Sequence, residues 1–261
     1  MSCVCVMRIS CGADAAGTEW EQFAFMRDAL NKTGRPVYLS ICEIENHTSD
    51  GSICDQQAGI AYSPNSWFAE GLPVAELGNG ILVEYSNNGN SWQSLDCMIQ
   101  AQQKLTRANL SAPGIWNDND MLTVGCSDHH VNEPWTPCIS HSGGLSPVED
   151  RTQFTFWTIS ASPLLLGNDL RYMSAATLAT VSNPEVIAVN QDPLGHRGVL
   201  SHTYTPAGHG APVLVYSKHQ QPNGSMQRRG VAVINLGNVS AVRHSLSLCL
   251  SLSLSPSALC S

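Results

Sequence analysis

Apolar and polar residues alternate along this chain in two periods. From Thr18 to Leu30 the apolar residues Trp20, Phe23, Phe25, Met26 and Leu30 fall mostly on one face of a helix. Thr18 can cap that helix and Glu21, three residues on, completes a capping box, while Gly34 and Pro36 close it. Val4 to Cys11 reads as a short strand, and Val37 to Cys42 as a buried strand that stops at Glu43. Residues 46–80 are irregular and rich in Gly, Ser, Asn and Pro, as in a lid or insertion. Ile81 to Tyr85 and Ser91 to Asp96 read as short strands on either side of an Asn-Asn-Gly-Asn turn, and Cys97 to Leu105 as a helix. After a second insertion at 125–147 come a helix over Val148 to Ser160, an apolar strand from Pro163 to Leu166, and helices over Ser174 to Val181 and from Asn183-Pro184 to Val189.

Strand and helix in alternation, with polar residues where strands end, is the rhythm of a parallel α/β domain. Glu43, Asp96, Asp120 and Asp169 all stand at or just past expected strand ends. In a (β/α) barrel that face carries the active site. After Gly198 the rhythm changes: Val213 to Tyr216 and Gly230 to Asn235 read as antiparallel strands joined through Gln221 to Gly224, the start of a small β-domain. From Ser245 to Leu254 Ser and Leu alternate, which fits an amphipathic strand or low-complexity read-through. The expected organisation is a partial barrel over 1–198, the beginning of an antiparallel domain over 199–240 and a low-complexity tail over 241–261.

Composition narrows the function. Of 261 residues 43% are hydrophobic and 13% charged, a globular balance, and the net charge of −8 with only 13 Lys and Arg disfavours a nucleic-acid or anionic-membrane surface. Ten cysteines and N-x-S/T sequons at Asn31, Asn46, Asn109, Asn223 and Asn238 favour a secreted or lumenal protein. The first residues do not form a signal peptide, and there is no transmembrane span, so the expectation is either a cytosolic protein or a missing N-terminus. Cys126-x-x-His129 and Cys138-x-x-His141 have the spacing of a Cys₂His₂ zinc site; an oxidising setting favours a Cys126–Cys138 disulfide instead, with no metal.

The most distinctive stretch runs from Ala112 to Leu122, a Pro-Gly break followed by Trp116, Asn117, Asp118, Asn119 and Asp120. A brief strand opening into a loop would put Asp118 and Asp120 on one side with Trp116 nearby. An aromatic face beside carboxylates suits a sugar, since the ring stacks on C–H faces and the acids accept from hydroxyls. The same residues also fit a solvated loop or half of a calcium site.

Several blocks resemble the family 27 glycoside hydrolases, the α-galactosidases and α-N-acetylgalactosaminidases. They are the run from Met26 to Pro36, Ser40 to Glu43, Asn90-Ser91-Trp92, Pro113 to Leu122, Ser162 to Leu170 and Glu185 to Gly195, within a similarity over roughly Cys11 to Asn238. The resemblance implies a (β/α)₈ TIM barrel, here about its C-terminal half, followed by an antiparallel β-domain. It implies retaining hydrolysis of terminal α-galactosides by two Asp residues without a cofactor. Such residues stand roughly 5–5.5 Å apart, one attacking the anomeric carbon and the other protonating the leaving oxygen. It makes Asp96 the acid/base candidate, and Glu43, Trp92, Asp120 and Met121 substrate-binding positions. The implied partners are α-galactoside oligosaccharides or glycoconjugates, with a homodimer as the assembly the family admits, and the implied location of the full-length protein is secreted or lysosomal/vacuolar.

Three departures stand against full activity. The family's W-R-x-x-x-D is here Trp92-Gln93-Ser94-Leu95-Asp96, with Gln for Arg and the Asp one residue early. The nucleophile of the K-x-D-x-C motif is not found: two before Cys11 stands Ile9, and Asp14 lies beyond the Cys. The family's first three strands have no counterpart, so a truncated or mis-predicted gene product is expected. The resemblance leaves open α-N-acetylgalactosaminidase, or a non-catalytic, vestigial sugar-binding homologue.

Overall fold

The structure of the chain is a computed structural model that describes residues 6–9, 19–42, 80–82, 91–104, 111–128, 144–206, 208 and 210–237. Four short parallel strands form one sheet in the order β1 (Val6–Ile9), β2 (Tyr38–Cys42), β3 (Gly80–Leu82) and β4 (Trp116–Asn117). Arg8 pairs with Ser40, Ser40 with Gly80 and Gly80 with Trp116, so Trp116 stands level with Ser40 across the sheet. Beyond β4, Leu122 forms a parallel bridge to Leu166, donating to Leu165 O at 2.8 Å and accepting from Gly167 N at 2.8 Å. Among the described residues, the strand expected over Pro163 to Leu166 is a single bridge to Leu122.

Helix α1 (Glu19–Lys32) lies between β1 and β2. It ends where Gly34 takes φ +67°, the left-handed conformation a helix stop favours. Phe23 is fully buried, whereas Phe25 is 76% exposed, which corrects the single apolar face expected for the two. Residues two apart on a helix are separated by about 200°, so one of the pair must face water. Thr18, the expected cap, lies outside the described residues.

Helix α2 (Trp92–Lys104) replaces the strand expected over Ser91 to Asp96. Ser91 caps it, its hydroxyl accepting from Ser94 N at 3.3 Å. Leu95, Met98 and Ile99 are fully buried at the i, i+3, i+4 spacing of a helix face, a period that overrides the short alternation before it.

Helix α3 (Pro147–Ile159) is the centre of the packing. Ser146 and Glu149 form a capping box with Pro147 at the first helical position. Phe156 and Trp157 are fully buried. Gln153, equally buried, holds Thr123 on the loop after β4 through its side-chain oxygen. Helices α4 (Ala175–Val181) and α5 (Pro184–Asn190) pack on α3 and are capped by Ser174 and Asn183.

The antiparallel sheet contains β5 (Val199–Tyr204), β6 (Val213–Asn223) and β7 (Met226–Asn235), in that order. It extends the expected pair by one strand and lengthens both of its members. Leu214, Tyr216, Ala232 and Ile234 share one hydrophobic cluster with Leu95, Leu122 and Trp157, and Phe156 meets Tyr216 edge-on at 5.7 Å. Among the described residues no helix is long and apolar enough to cross a membrane.

Candidate active site

The chain leaves the C-terminal end of β4 through Asp118, Asn119, Asp120 and Met121. The side-by-side placement expected for the two acids is corrected. Asp118 turns inward and is buried: its Oδ2 accepts from Ser40 Oγ at 2.9 Å, and its Oδ1 from Asp120 N at 2.9 Å. Asp120 adopts φ +67°, which breaks the strand alternation, so residues two apart no longer share a side. Its carboxylate accepts from Met121 N at 2.8 Å. Its carbonyl accepts from Trp157 Nε1 at 2.8 Å.

Asn119 N donates to Ser162 Oγ at 2.7 Å, and Asn190 Nδ2 secures that neighbour by donating to Ser162 O at 2.8 Å. Asn117 donates to Asn119 Oδ1, which leaves Asn117 Oδ1 and Asn119 Nδ2 buried without partners. The outcome is a rigid turn that presents Asp120, half-buried, and Met121, exposed, at the C-terminal edge of the sheet. A carboxylate held this way can accept from sugar hydroxyls, and a thioether can pack against a C–H face.

The other sequence candidates fare differently. Glu43 lies outside the described residues, directly after β2. Trp92 is the first residue of α2 and packs, partly buried, against the hydrophobic cluster. Asp96 is corrected from a strand end to the second turn of α2, where its Oδ2 accepts from Gln100 Nε2 at 3.0 Å and its Oδ1 is buried without a partner. Burial raises its pKa, partly offset by the Gln100 bond. Asp169 closes a turn through Arg171, accepting from its backbone amide at 3.0 Å and its Nε at 2.9 Å. Ile9, the last residue of β1, occupies the position two before Cys11, where a nucleophilic Asp was sought; Cys11 and Asp14 lie outside the described residues.

Cys97 and Cys126 are both disulfide-bonded and buried. Cys126 therefore has no thiolate for a metal, which removes the Cys₂His₂ alternative as drawn; Cys138, its expected disulfide partner, lies outside the described residues. Sequence reading missed Ser40, Ser162 and Trp157 as the residues that fix the Asp118–Asp120 turn. They lie 78, 43 and 37 positions from their partners, and no local spacing marks them.

A family model described as Alpha galactosidase A matches residues 6–192, a span that includes the whole parallel sheet and the Asp118–Asp120 turn. The chain belongs to the α-galactosidase family. Alpha-galactosidase 3 of Arabidopsis thaliana is 34% identical over 178 residues, covering 68% of this chain and 32% of that protein. Alpha-N-acetylgalactosaminidase of Rattus norvegicus is 32% identical over 184 residues, covering 69% of this chain and 36% of that protein. In fold, the chain is similar to α-galactosidase I of Mortierella vinacea, with a TM-score of 0.52 and 24% identity over 83% of this chain and 47% of that one. The α-galactosidase-family chain thus spans about a third of the length of the two curated relatives.

Proposed function

We propose that this chain is the later part of an α-galactosidase barrel, from the fourth strand to the eighth, followed by the start of the antiparallel domain, and that it binds terminal α-galactosyl groups at Asp120 and Met121. The observation that carries this reading is the Asp118–Asp120 turn. One acid is spent on bracing; the other has its carboxylate held by Met121 N and its backbone carbonyl by Trp157 Nε1, at the strand end that faces substrate in such barrels. Glu43, directly after β2, is the second sugar contact in this reading.

Hydrolysis by the chain as written is weak in this reading. A retaining mechanism needs a nucleophile and an acid together. Ile9 stands where the nucleophile was sought, and Asp96 is tied to Gln100 on α2 rather than at a strand end. The raised pKa of Asp96 has the direction a general acid requires, but burial of a structural carboxyl produces the same shift. The cysteines and sequons support a secreted or lysosomal/vacuolar setting for the whole protein.

Calorimetric titration with D-galactose, beside turnover of para-nitrophenyl α-D-galactopyranoside, tests the reading. Galactose binding weakened about tenfold by Asp120→Asn, with turnover near background, is the expected result. Binding indifferent to Asp120→Asn would sink the site, and vigorous turnover would sink the claim of weak hydrolysis. Parallel titration with N-acetyl-D-galactosamine separates the two family specificities.

A further inference from the structure

A second cleft lies at the other end of the strands. Tyr38 is the first residue of β2, Trp116 is the first residue of β4, and both line it. Gln191 and Asp192, which follow α5, form the facing wall. Asp120 and Met121 leave β4 at its C-terminal end, whereas the cleft is lined by the first residues of β2 and β4; Ser162 and Asn190, which also line it, reach the turn through the backbone of Asn119. We propose that this cleft is a second carbohydrate site that holds a neutral pyranose, distinct from the galactosyl site at Asp120.

The size and the walls fit that ligand. The cleft measures about 330 Å³, within the roughly 300–1,000 Å³ of small-molecule sites. The rings of Tyr38 and Trp116 stand 6.3 Å apart at 31° and form a splayed aromatic wall against which the C–H face of a sugar ring can stack. The Tyr38 hydroxyl is sealed from solvent, so it is the ring of Tyr38, not its hydroxyl, that is offered to a ligand in the cleft. Gln191 donates its Nε2 to Asn190 Oδ1 at 2.6 Å, which leaves its Oε1 to accept from a sugar hydroxyl.

Charge argues against an anionic ligand. Among the described residues the one carboxylate in the wall is Asp192, whose oxygens accept from Gln221 N at 2.9 Å and 3.1 Å and from Leu194 N at 3.1 Å. The walls are also preformed. Gly195 takes φ +63°, and a Cβ there would stand 2.9 Å from the ring of Pro113, so backbone packs on backbone with no side chain between. An aromatic-walled cleft with a few hydrogen-bonding groups, whose described carboxylate is already held by backbone amides, favours an uncharged polyol ring over an anion.

Saturation-transfer NMR of the full chain with D-glucose tests this, because D-glucose is not the sugar proposed for the Asp120 site. Transfer to the glucose ring protons is expected both in the unaltered chain and in Asp120→Asn. Gln191→Trp, which fills the cleft, is expected to abolish it, and Trp116→Ala, which removes half of the aromatic wall, to weaken binding about tenfold. Absence of transfer to D-glucose from the unaltered chain would overturn the proposal. So would transfer that Asp120→Asn removes and the cleft variants leave intact. If circular dichroism shows Gln191→Trp misfolded, the Trp116→Ala result decides. The outcome is independent of whether the chain binds or hydrolyses α-galactosides at Asp120.

Discussion

The indole Nε1 of Trp157, on buried helix α3, donates to the backbone carbonyl of Asp120 at 2.8 Å, across 37 residues of sequence. That bond holds the peptide of a residue whose φ of +67° is uncommon for anything but Gly, Asn or Asp. The central helix therefore sets the orientation of the carboxylate that the candidate site presents.

Trp157→Phe is expected to destabilise the chain by about 2 kcal/mol, from the lost hydrogen bond and the space left by a fully buried indole. Galactose binding should weaken with it, as the Asp120 peptide is freed. Asp120→Asn should leave stability almost unchanged, since Asn also tolerates the left-handed region, while reducing binding. Asp120→Val should cost roughly 1–3 kcal/mol in backbone strain. Urea denaturation of the three variants beside galactose titration checks the order; equal stability of the Asn and Val variants would remove the backbone argument.

Asp118 is expected to behave as a structural acid. Its buried carboxylate accepts from Ser40 Oγ and Asp120 N, one bond reaching β2 and the other closing the turn. Asp118→Ala should destabilise by about 3 kcal/mol and Ser40→Ala by about 1 kcal/mol. The double variant should fall short of the sum, because both changes break the same bond. Strict additivity in the denaturation cycle would show that the Ser40–Asp118 bond contributes nothing.

Lys218 on β6 makes stability depend on pH. It is almost fully buried, and its Nζ has no hydrogen-bond partner. Burial pushes its pKa down from 10.5 to about 8, against the opposing pull of Asp192. Between those values the unfolded chain holds a proton that the folded chain has lost, so the contribution of Lys218 to stability rises with pH from about 8 to about 10.5. Below pH 8 the charged amine is buried at a cost on the order of 3 kcal/mol. Lys218→Met should therefore stabilise the chain at pH 7. The gain should shrink above pH 8 and vanish above the ordinary lysine range. Thermal unfolding followed across that interval checks it; a gain that did not change with pH would assign the effect to packing alone.

Asp96 carries the opposite sign of charge and the same physics. Its pKa is raised by burial, so its ionised form destabilises the folded chain at neutral pH, and that penalty disappears as pH falls below the range where a free carboxyl titrates. Asp96→Asn, which keeps the shape and can still meet Gln100, is expected to be stabilising at pH 7 and neutral in strong acid. Urea denaturation at the two pH values checks it, and a loss of stability at pH 7 would contradict it.

Much of the framework could be read from the chain. The helices over 147–159, 175–181 and 184–190 lie close to where the chain's pattern put them, because their signals are local; the structure adds the caps, Ser146 with Glu149, Ser174 and Asn183. Family membership was legible in the block from Pro113 to Leu122 for the same reason, since it is a contiguous run. The antiparallel pairing of the two strands after Gly198 was legible too, while its register, Val213 against Asn235 and Tyr216 against Ala232, came only with the structure.

What the tertiary structure alone decided is which acid faces where. A period of two assigns sides only while the backbone stays extended, and Asp120 leaves that region one residue after Asn119. From then on Asp118 and Asp120 diverge, one toward Ser40 and the other toward the sheet edge. Asp96 was misplaced because the three residues that make its segment helical, Leu95, Met98 and Ile99, are buried against distant parts of the chain, so their pattern outweighs the short polar–apolar alternation before it. The bonds from Ser40, Ser162 and Trp157 span 78, 43 and 37 positions, and a contact at such separation exists only after the chain has folded.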